Sequence, residues 1–331
     1  MERFALAAAV VLGFALTAAL CSLFVPLRRV LERREQQQQP VQSEQPRPAP
    51  LRAPLWGGLC AAAGTVAAVG VGWLAACVGQ PELLGSEGRL MTRLLTALAG
   101  SLAFGAVGLA EDLARMRSPA ALGLRRDVRL LLEALAAAFV LLLLRAAGCL
   151  PRGLGVPGAG YVLLGSAVPL LWAVLMVALA ECARIAERDE GAVCGAAFVA
   201  MLALMMAEAG LGVPGLAVLP AALAGALVAL GLWAFPPARL GVGCCGSLLA
   251  AGAIGCIPLS LDMTSLTVPL ALPFWAAGGL LAAQLLCAKR TGKPLRCWVK
   301  KHKMSPETVF LCSFALSAVG YVLALALLRW C

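Results

Sequence analysis

The chain has 331 residues and a formal net charge of +10, and 61% of it is hydrophobic against 13% charged. Soluble domains run at about 45–50% apolar and about 25% charged, and no compact soluble fold of this length has interior enough for so much apolar surface. Mean hydropathy of +0.90 therefore excludes a soluble protein and whole-chain disorder, and makes lipid the main solvent.

A bilayer-spanning helix needs about 20 mostly apolar residues. In chain order the runs 4–25, 55–78, 94–110, 130–150, 161–179, 192–207, 216–235, 246–261, 266–288 and 309–328 meet that need. Those at 192–207 and 246–261 are short, and the second is rich in Gly and Ala. The fold class predicted is all-α, a polytopic membrane protein of about ten transmembrane helices forming one domain over 1–331. The first run starts with Glu2 and Arg3 and is followed by a basic segment, so it is expected to stay as a span rather than act as a signal peptide. Segment 32–53 holds Gln36 to Gln39 and prolines 40, 46, 48 and 50. Its composition is that of a flexible linker.

Charge orients the bundle. The loops at 28–52, 111–129, 181–191, 235–247 and 289–307 alternate with the others and carry 21 of the 27 Lys and Arg. The positive-inside rule assigns them to the cytoplasm, which puts both termini outside. The net charge is thus an orientation signal. No stacking aromatics are interleaved with the basic residues, so no nucleic-acid partner is expected. Thirteen scattered cysteines with no C-x-x-C spacing read as small apolar helix filler, not a metal framework.

The polar residues gather on the cytoplasmic loops. Glu111 and Asp112 end the third run. Adjacent carboxylates at a helix end suit Mg²⁺, which takes oxygen ligands, and they equally suit a solvated helix stop. Glu181, Arg184, Glu187, Arg188, Asp189 and Glu190 follow the fifth run. Continued as helix, this stretch puts Glu181 with Arg184 and Glu187 with Glu190 on shared faces. That arrangement suits a metal–diphosphate, and also an ordinary cross-charged surface turn. Gly241, Gly243 and Gly246 precede or open a short helix. Their backbone N–H groups can cradle a phosphate, or the glycines can serve close helix packing. Lys300, Lys301 and Lys303 flank the one histidine, His302, as a phosphate-attracting patch or a solvated anchor. Few ionisable groups fall at midmembrane and no internal repeat is evident, which weighs against a transporter.

The order of runs and loops resembles phospho-N-acetylmuramoyl-pentapeptide transferase and the wider polyprenyl-phosphate N-acetylhexosamine-1-phosphate transferases (glycosyltransferase family 4), as a divergent member. The likeness runs along nearly the whole chain. The family's T-P-T-M-G-G is echoed by residues 53–58, ending Gly57-Gly58. Its L-D-D-Y-x-K is echoed by Ala110-Glu111-Asp112-Leu113-Ala114-Arg115. Its F-N-A-P-P-A-K-V-F-M-G-D-T-G-S is echoed by 233–247, where Pro236, Pro237, Ala238, Gly243, Gly246 and Ser247 match. Its T-K-G-K is echoed by Arg290-Thr291-Gly292-Lys293, and its W-S-E by Ser305-Pro306-Glu307. The N-A-V-N-L-T-D-G-L-D-G loop becomes 181–191, with Glu187 and Glu190 in place of two aspartates. The aspartate of G-D-T-G falls on Cys244, and a thiol is a poor ligand for Mg²⁺. The triple-histidine motif is absent as such.

The resemblance implies transfer of a phospho-sugar, of the phospho-N-acetylmuramoyl-pentapeptide kind, from a UDP-sugar to undecaprenyl phosphate with release of UMP. The process would be Mg²⁺-dependent peptidoglycan precursor synthesis in cell wall biogenesis, at the cytoplasmic face of a bacterial plasma membrane. It implies catalytic roles for Glu111, Asp112, Glu187, Glu190 and His302, and a metal set of Glu111, Asp112 and Glu187. Lys300, Lys301, Arg184, Gly243 and Gly246 would bind phosphate or sugar. The partners are then undecaprenyl phosphate, a UDP-sugar, the bilayer and a second copy of the chain, since bundles of this kind often pair as homodimers. The departures at 111, 187, 190 and 244 leave a second reading open, a catalytically inactive relative that binds lipid or protein partners.

Overall fold

In the computed structural model of this chain, each of the ten apolar runs lies wholly or in large part on helix. Residues 2–38, 56–79, 88–117, 123–151, 153–156, 160–163, 165–187, 191–213, 215–235, 238–291 and 306–330 are described. The helices are α1 (Glu2–Gln38), α2 (Gly57–Gly79), α3 (Gly88–Arg117), α4 (Arg126–Ala146), α5 (Ala167–Ala186), α6 (Ala192–Gly210), α7 (Val218–Ala234), α8 (Gly243–Ser260), the short α9 (Thr267–Leu270), α10 (Leu272–Thr291) and α11 (Pro306–Trp330).

Seven of these are long and apolar enough to cross a membrane, and up to eight if the bent α9–α10 pair, broken by 63°, is one span. The two runs outside that count have identifiable reasons. Helix α7 has 17 residues, which reach about 25 Å at 1.5 Å each, short of a hydrocarbon core of about 30 Å. Helix α4 carries Arg129, Glu133 and Arg145, too many charges for an ordinary lipid-facing span. The protein is an all-α, multi-pass membrane protein in its described helices.

Three local departures from the expected pattern have physical causes. α1 continues through Gln38, so the start of the Gln-rich segment is helical, as unbranched Glu, Arg and Gln favour; residues 39–53 lie outside the described set. The fifth run does not begin a helix at 161. Gly153–Val156 (β1) and Gly160–Leu163 (β2) pair as an antiparallel hairpin, Gly153 opposite Leu163 and Val156 opposite Gly160. A glycine-rich stretch cannot hold helix well, and α5 starts only at Ala167. The ninth run breaks at Ala271, between α9 and α10.

Helix α8 is the axis of the molecule: all of its span is buried inside the protein, against 17% for α11. It packs on α2, α3, α5 and α6, most extensively on α3, while α1 lies against α2 and α7. Without a hydrophobic drive between helices in lipid, close approach of small residues supplies the packing. α8 is accordingly built of Gly, Ala, Cys and Ser between its few Leu and Ile. A side chain on Gly58 of α2 would run into the backbone of Gly246, and one on Gly108 of α3 would run into the Cys244 carbonyl. Trp172 of α5 fixes the other end by donating its indole N–H to the Gly255 carbonyl, 3.2 Å. After Ser260 the chain turns through Asp262, at φ 62°, and Met263 N–H closes back on the Pro258 carbonyl.

A charged cluster where four helices meet

Four helix ends converge at the start of α8, and polar side chains from three of them form a continuous chain of alternating charge. Glu187, at the C-cap of α5, accepts from Arg115 Nη1 at 3.3 Å. Arg115 Nη2 donates to Glu111 Oε1 one turn earlier on α3, 2.8 Å. The same Glu111 oxygen lies 3.7 Å from Arg129 Nη1 of α4. Arg129 Nε donates to Glu181 Oε1 of α5 at 2.7 Å, and Arg184 Nη2 donates to the other Glu181 oxygen at 2.7 Å. The i, i+4 spacing of Glu111 with Arg115 and the i, i+3 spacing of Glu181 with Arg184 set up the intrahelical links. The helix crossings supply the rest.

Asp112 faces the other way. Its two carboxylate oxygens accept the backbone N–H groups of Cys244 and Cys245, at 3.1 and 2.9 Å. Gly243 at φ 70° makes the turn that aims these N–H groups, a conformation glycine adopts without steric cost. The first N–H groups of a helix have no intrahelical partner, and here a carboxylate from α3 satisfies two of them and sits at the positive end of the helix dipole. The Cys244 thiol donates to Glu187 Oε2 at 2.8 Å, closing a ring through Asp112, Arg115 and Glu187. Arg115 Nη1 is 3.9 Å from Asp112.

Among the described residues the cluster holds five carboxylates (Glu111, Asp112, Glu133, Glu181, Glu187) and three guanidiniums (Arg115, Arg129, Arg184). Its hydrogen bonding is incomplete: Glu111 Oε2, both oxygens of Glu133 and Arg184 Nε are buried with no partner among the described residues. Glu133, one turn after Arg129 on α4, is fully buried. The cluster is not sealed, since Arg115 and Arg184 keep about a fifth of their side-chain surface exposed. An anion arriving from the open side meets guanidinium forks suited to bidentate phosphate contact.

Of the residues singled out from sequence, Glu111, Asp112, Arg184, Glu187, Gly243 and Cys244 come together here. Gly246 does not face the cluster; it packs one turn in, against Gly58 of α2. The N–H groups after Gly243 are engaged by Asp112, which is what a phosphate would otherwise do. Glu190, Lys300, Lys301 and His302 lie outside the described residues. Arg115, Arg129 and Glu133 are members that motif reading did not select as site residues. The spacings Glu111/Arg115 and Arg129/Glu133 were the available signal, since charge pairs one turn apart inside apolar helices are costly unless they meet partners.

Asp112, Glu187 and Cys244 each offer a ligand atom, and these atoms all lie within 4.8 Å of one another. Near-octahedral oxygen coordination is what Mg²⁺ demands. One of the three converging donors is the sulfur of Cys244, a poor ligand for Mg²⁺. The donor set does not fit Mg²⁺.

The sequence model for glycosyl transferase family 4 matches residues 94–262, just over half of the chain. The match runs from within α3 to the turn after α8, and so takes in every member of the cluster. Among curated proteins nothing matches the chain.

Proposed function

The chain belongs to glycosyl transferase family 4, a family of transferases, and from that premise we propose that it transfers a sugar phosphate from a UDP-sugar to a polyprenyl phosphate, releasing UMP. In its finer form the proposal has undecaprenyl phosphate as acceptor and a UDP-N-acetylmuramoyl-pentapeptide-like donor. The reaction belongs to cell-wall precursor synthesis on the cytoplasmic face of a bacterial plasma membrane, with ten spans and both termini outside.

The observation that carries it is the convergence of Arg115, Arg129 and Arg184 with the start of α8, at the bundle end where the basic loops leave the helices. An oxygen of the lipid phosphate attacks the sugar-bearing phosphorus. A new P–O bond forms, the bond to the bridging oxygen breaks, and UMP leaves with that oxygen. Arg115 and Arg184, the more accessible guanidiniums, hold the diphosphate and spread the charge that builds on its oxygens. Glu111, Glu187 and Glu181 hold those guanidiniums in register. Asp112 fixes α8 against α3 so that the parts keep their spacing, because a displacement of about 1 Å can cost a site roughly 10²-fold. Lys300, Lys301, His302 and Glu190 complete the proposal as phosphate and sugar contacts. Because the donor set does not fit Mg²⁺, no step is routed through it.

A second reading is favoured by one observation: the sulfur of Cys244 stands among the three converging donors, where Mg²⁺ would need oxygen. In that reading the chain is a catalytically inactive relative that binds lipid or protein partners. Full-length protein in nanodiscs, given undecaprenyl phosphate and a panel of UDP-N-acetylhexosamine and UDP-muramyl-peptide donors, separates the two by UMP release. Turnover with one donor, reduced about 10²-fold in kcat/KM by Arg115→Ala, supports transfer. No UMP with any donor and any divalent ion, beside a working control, assigns the second reading.

A further inference from the structure

We infer that the Asp112–Glu187–Cys244 corner binds a thiophilic divalent cation of the Zn²⁺ class in place of Mg²⁺. Three ligand atoms within 4.8 Å of one another need only a small contraction to surround one ion. Bonds of about 2.0–2.3 Å to oxygen and sulfur put tetrahedral donors roughly 3–4 Å apart. The Cys244 sulfur and Glu187 Oε2, hydrogen-bonded at 2.8 Å, need only open slightly once the S–H proton is lost. Each Asp112 oxygen accepts one N–H and retains a second lone pair, so capping α8 does not preclude ligation.

A second observation is a carboxylate oxygen left unsatisfied beside Arg115. Glu111 Oε2, on a side chain 3% exposed, has no hydrogen-bond partner. Its other oxygen shares the Arg115 fork with Glu187. Glu111 adjoins the corner only through Arg115 and is not one of the three converging donors, so the fourth position falls to water. When the ion enters, the Cys244 S–H proton passes to solvent, a sulfur–metal bond replaces the S–H bond, and Glu187 exchanges an S–H contact for the metal.

Softness decides the identity. Thiolate sulfur favours Zn²⁺, Co²⁺ and Cd²⁺, whereas carboxylate, carbonyl and water oxygens suit Mg²⁺. The inference rests on the transferase reading only for the ion's place beside the diphosphate. The site itself rests on the three side chains.

Full-length protein in nanodiscs, washed with chelator, is titrated with Co²⁺ and followed by the near-ultraviolet sulfur-to-cobalt charge-transfer band. Zn²⁺ and Mg²⁺ are then used as competitors. A band displaced by Zn²⁺ at concentrations at least about tenfold below Mg²⁺ is expected. It should be absent in C244A and in C244S, which keeps the size and hydrogen bond, and retained in C245A. C244D should reverse the preference toward Mg²⁺ by at least about tenfold, with thermal unfolding of each variant reporting its integrity. No band in the wild type, a band that survives both C244A and C244S, or displacement by Mg²⁺ as readily as by Zn²⁺ overturns the inference. Binding is read without turnover. Zn²⁺ held through Cys244 with no UMP release keeps this inference and sinks the transferase reading, and UMP release without a thiolate band does the reverse.

Discussion

Asp112 joins two helices with one carboxylate. Two hydrogen bonds to a charged acceptor, each about 1.5 kcal/mol or more, run from α8 to this α3 side chain. Asp112→Ala is expected to lower the unfolding free energy by about 3 kcal/mol, read by thermal or denaturant unfolding in detergent. Asp112→Asn, which keeps one oxygen acceptor, should lose less. Glu133 presents the opposite case. Both its oxygens are buried and unpartnered, so Glu133→Met should stabilise by about 1 kcal/mol, in line with apolar replacement of poorly satisfied buried charge. A loss of stability there would show that Glu133 is paired with something bound. Sequence made Glu111, Asp112 and Glu187 legible through residue type and motif. Asp112's capping role was not, because which N–H groups it meets depends on a partner 132 positions away. Glu133 lies near the start of α4, a place that in sequence suits an interfacial carboxylate; its burial is a tertiary fact.

Between elements, the tight crossing of α3, α2 and α8 depends on what Gly108 and Gly58 lack. Gly108→Ala should push α3 off the Cys244 carbonyl and Gly58→Ala should push α2 off Gly246, each costing about 1–3 kcal/mol as overpacking does. Gly70, on α2 with open space where a side chain would go, is the control. Gly70→Ala should be neutral or slightly stabilising, and equal melting temperatures for all three variants would rule out the crossing as a point of strain. Helix positions were readable from apolar runs, since lipid permits little else. The hairpin at 153–163 was not, because a short apolar stretch such as Tyr161 to Leu163 carries no period that separates strand from helix. Gly57-Gly58 and Gly246 were read as motif fragments 188 residues apart between Gly58 and Gly246; their meeting at one crossing explains why both sites are glycine.

Over the whole molecule, charge and depth are segregated. Arg115, Arg129 and Arg184 sit with the start of α8, and Asp262 and the β1–β2 hairpin lie at its other end, where β1 touches the turn after α8. A reporter protein fused after Arg239 should therefore be active only in its cytoplasmic form, and one fused after Val213 only in its exported form, following the positive-inside assignment. Identical reporter behaviour at the two positions would reject the alternating topology. The span count from sequence rested on length and hydropathy, which α7 and α4 satisfy poorly. Both have company that sequence does not display: α7 lies between α1, α2 and α6, and α4 spends Arg129 on the cluster.

The central position of α8 bears on how the chain is made. Its four main neighbours, α2, α3, α5 and α6, all precede it in the sequence. By the time α8 leaves the ribosome they are already synthesised, and domains generally assemble from the N-terminal side as synthesis proceeds. A trench lined by glycines and small side chains would then exist before its occupant, filled for the interval by lipid tails. Insertion of α8 becomes the late step that expels them, and Asp112 waits at the trench mouth as the latch. A chain halted after α7 should accordingly accept α8 with its C-terminal partners as a separate polypeptide.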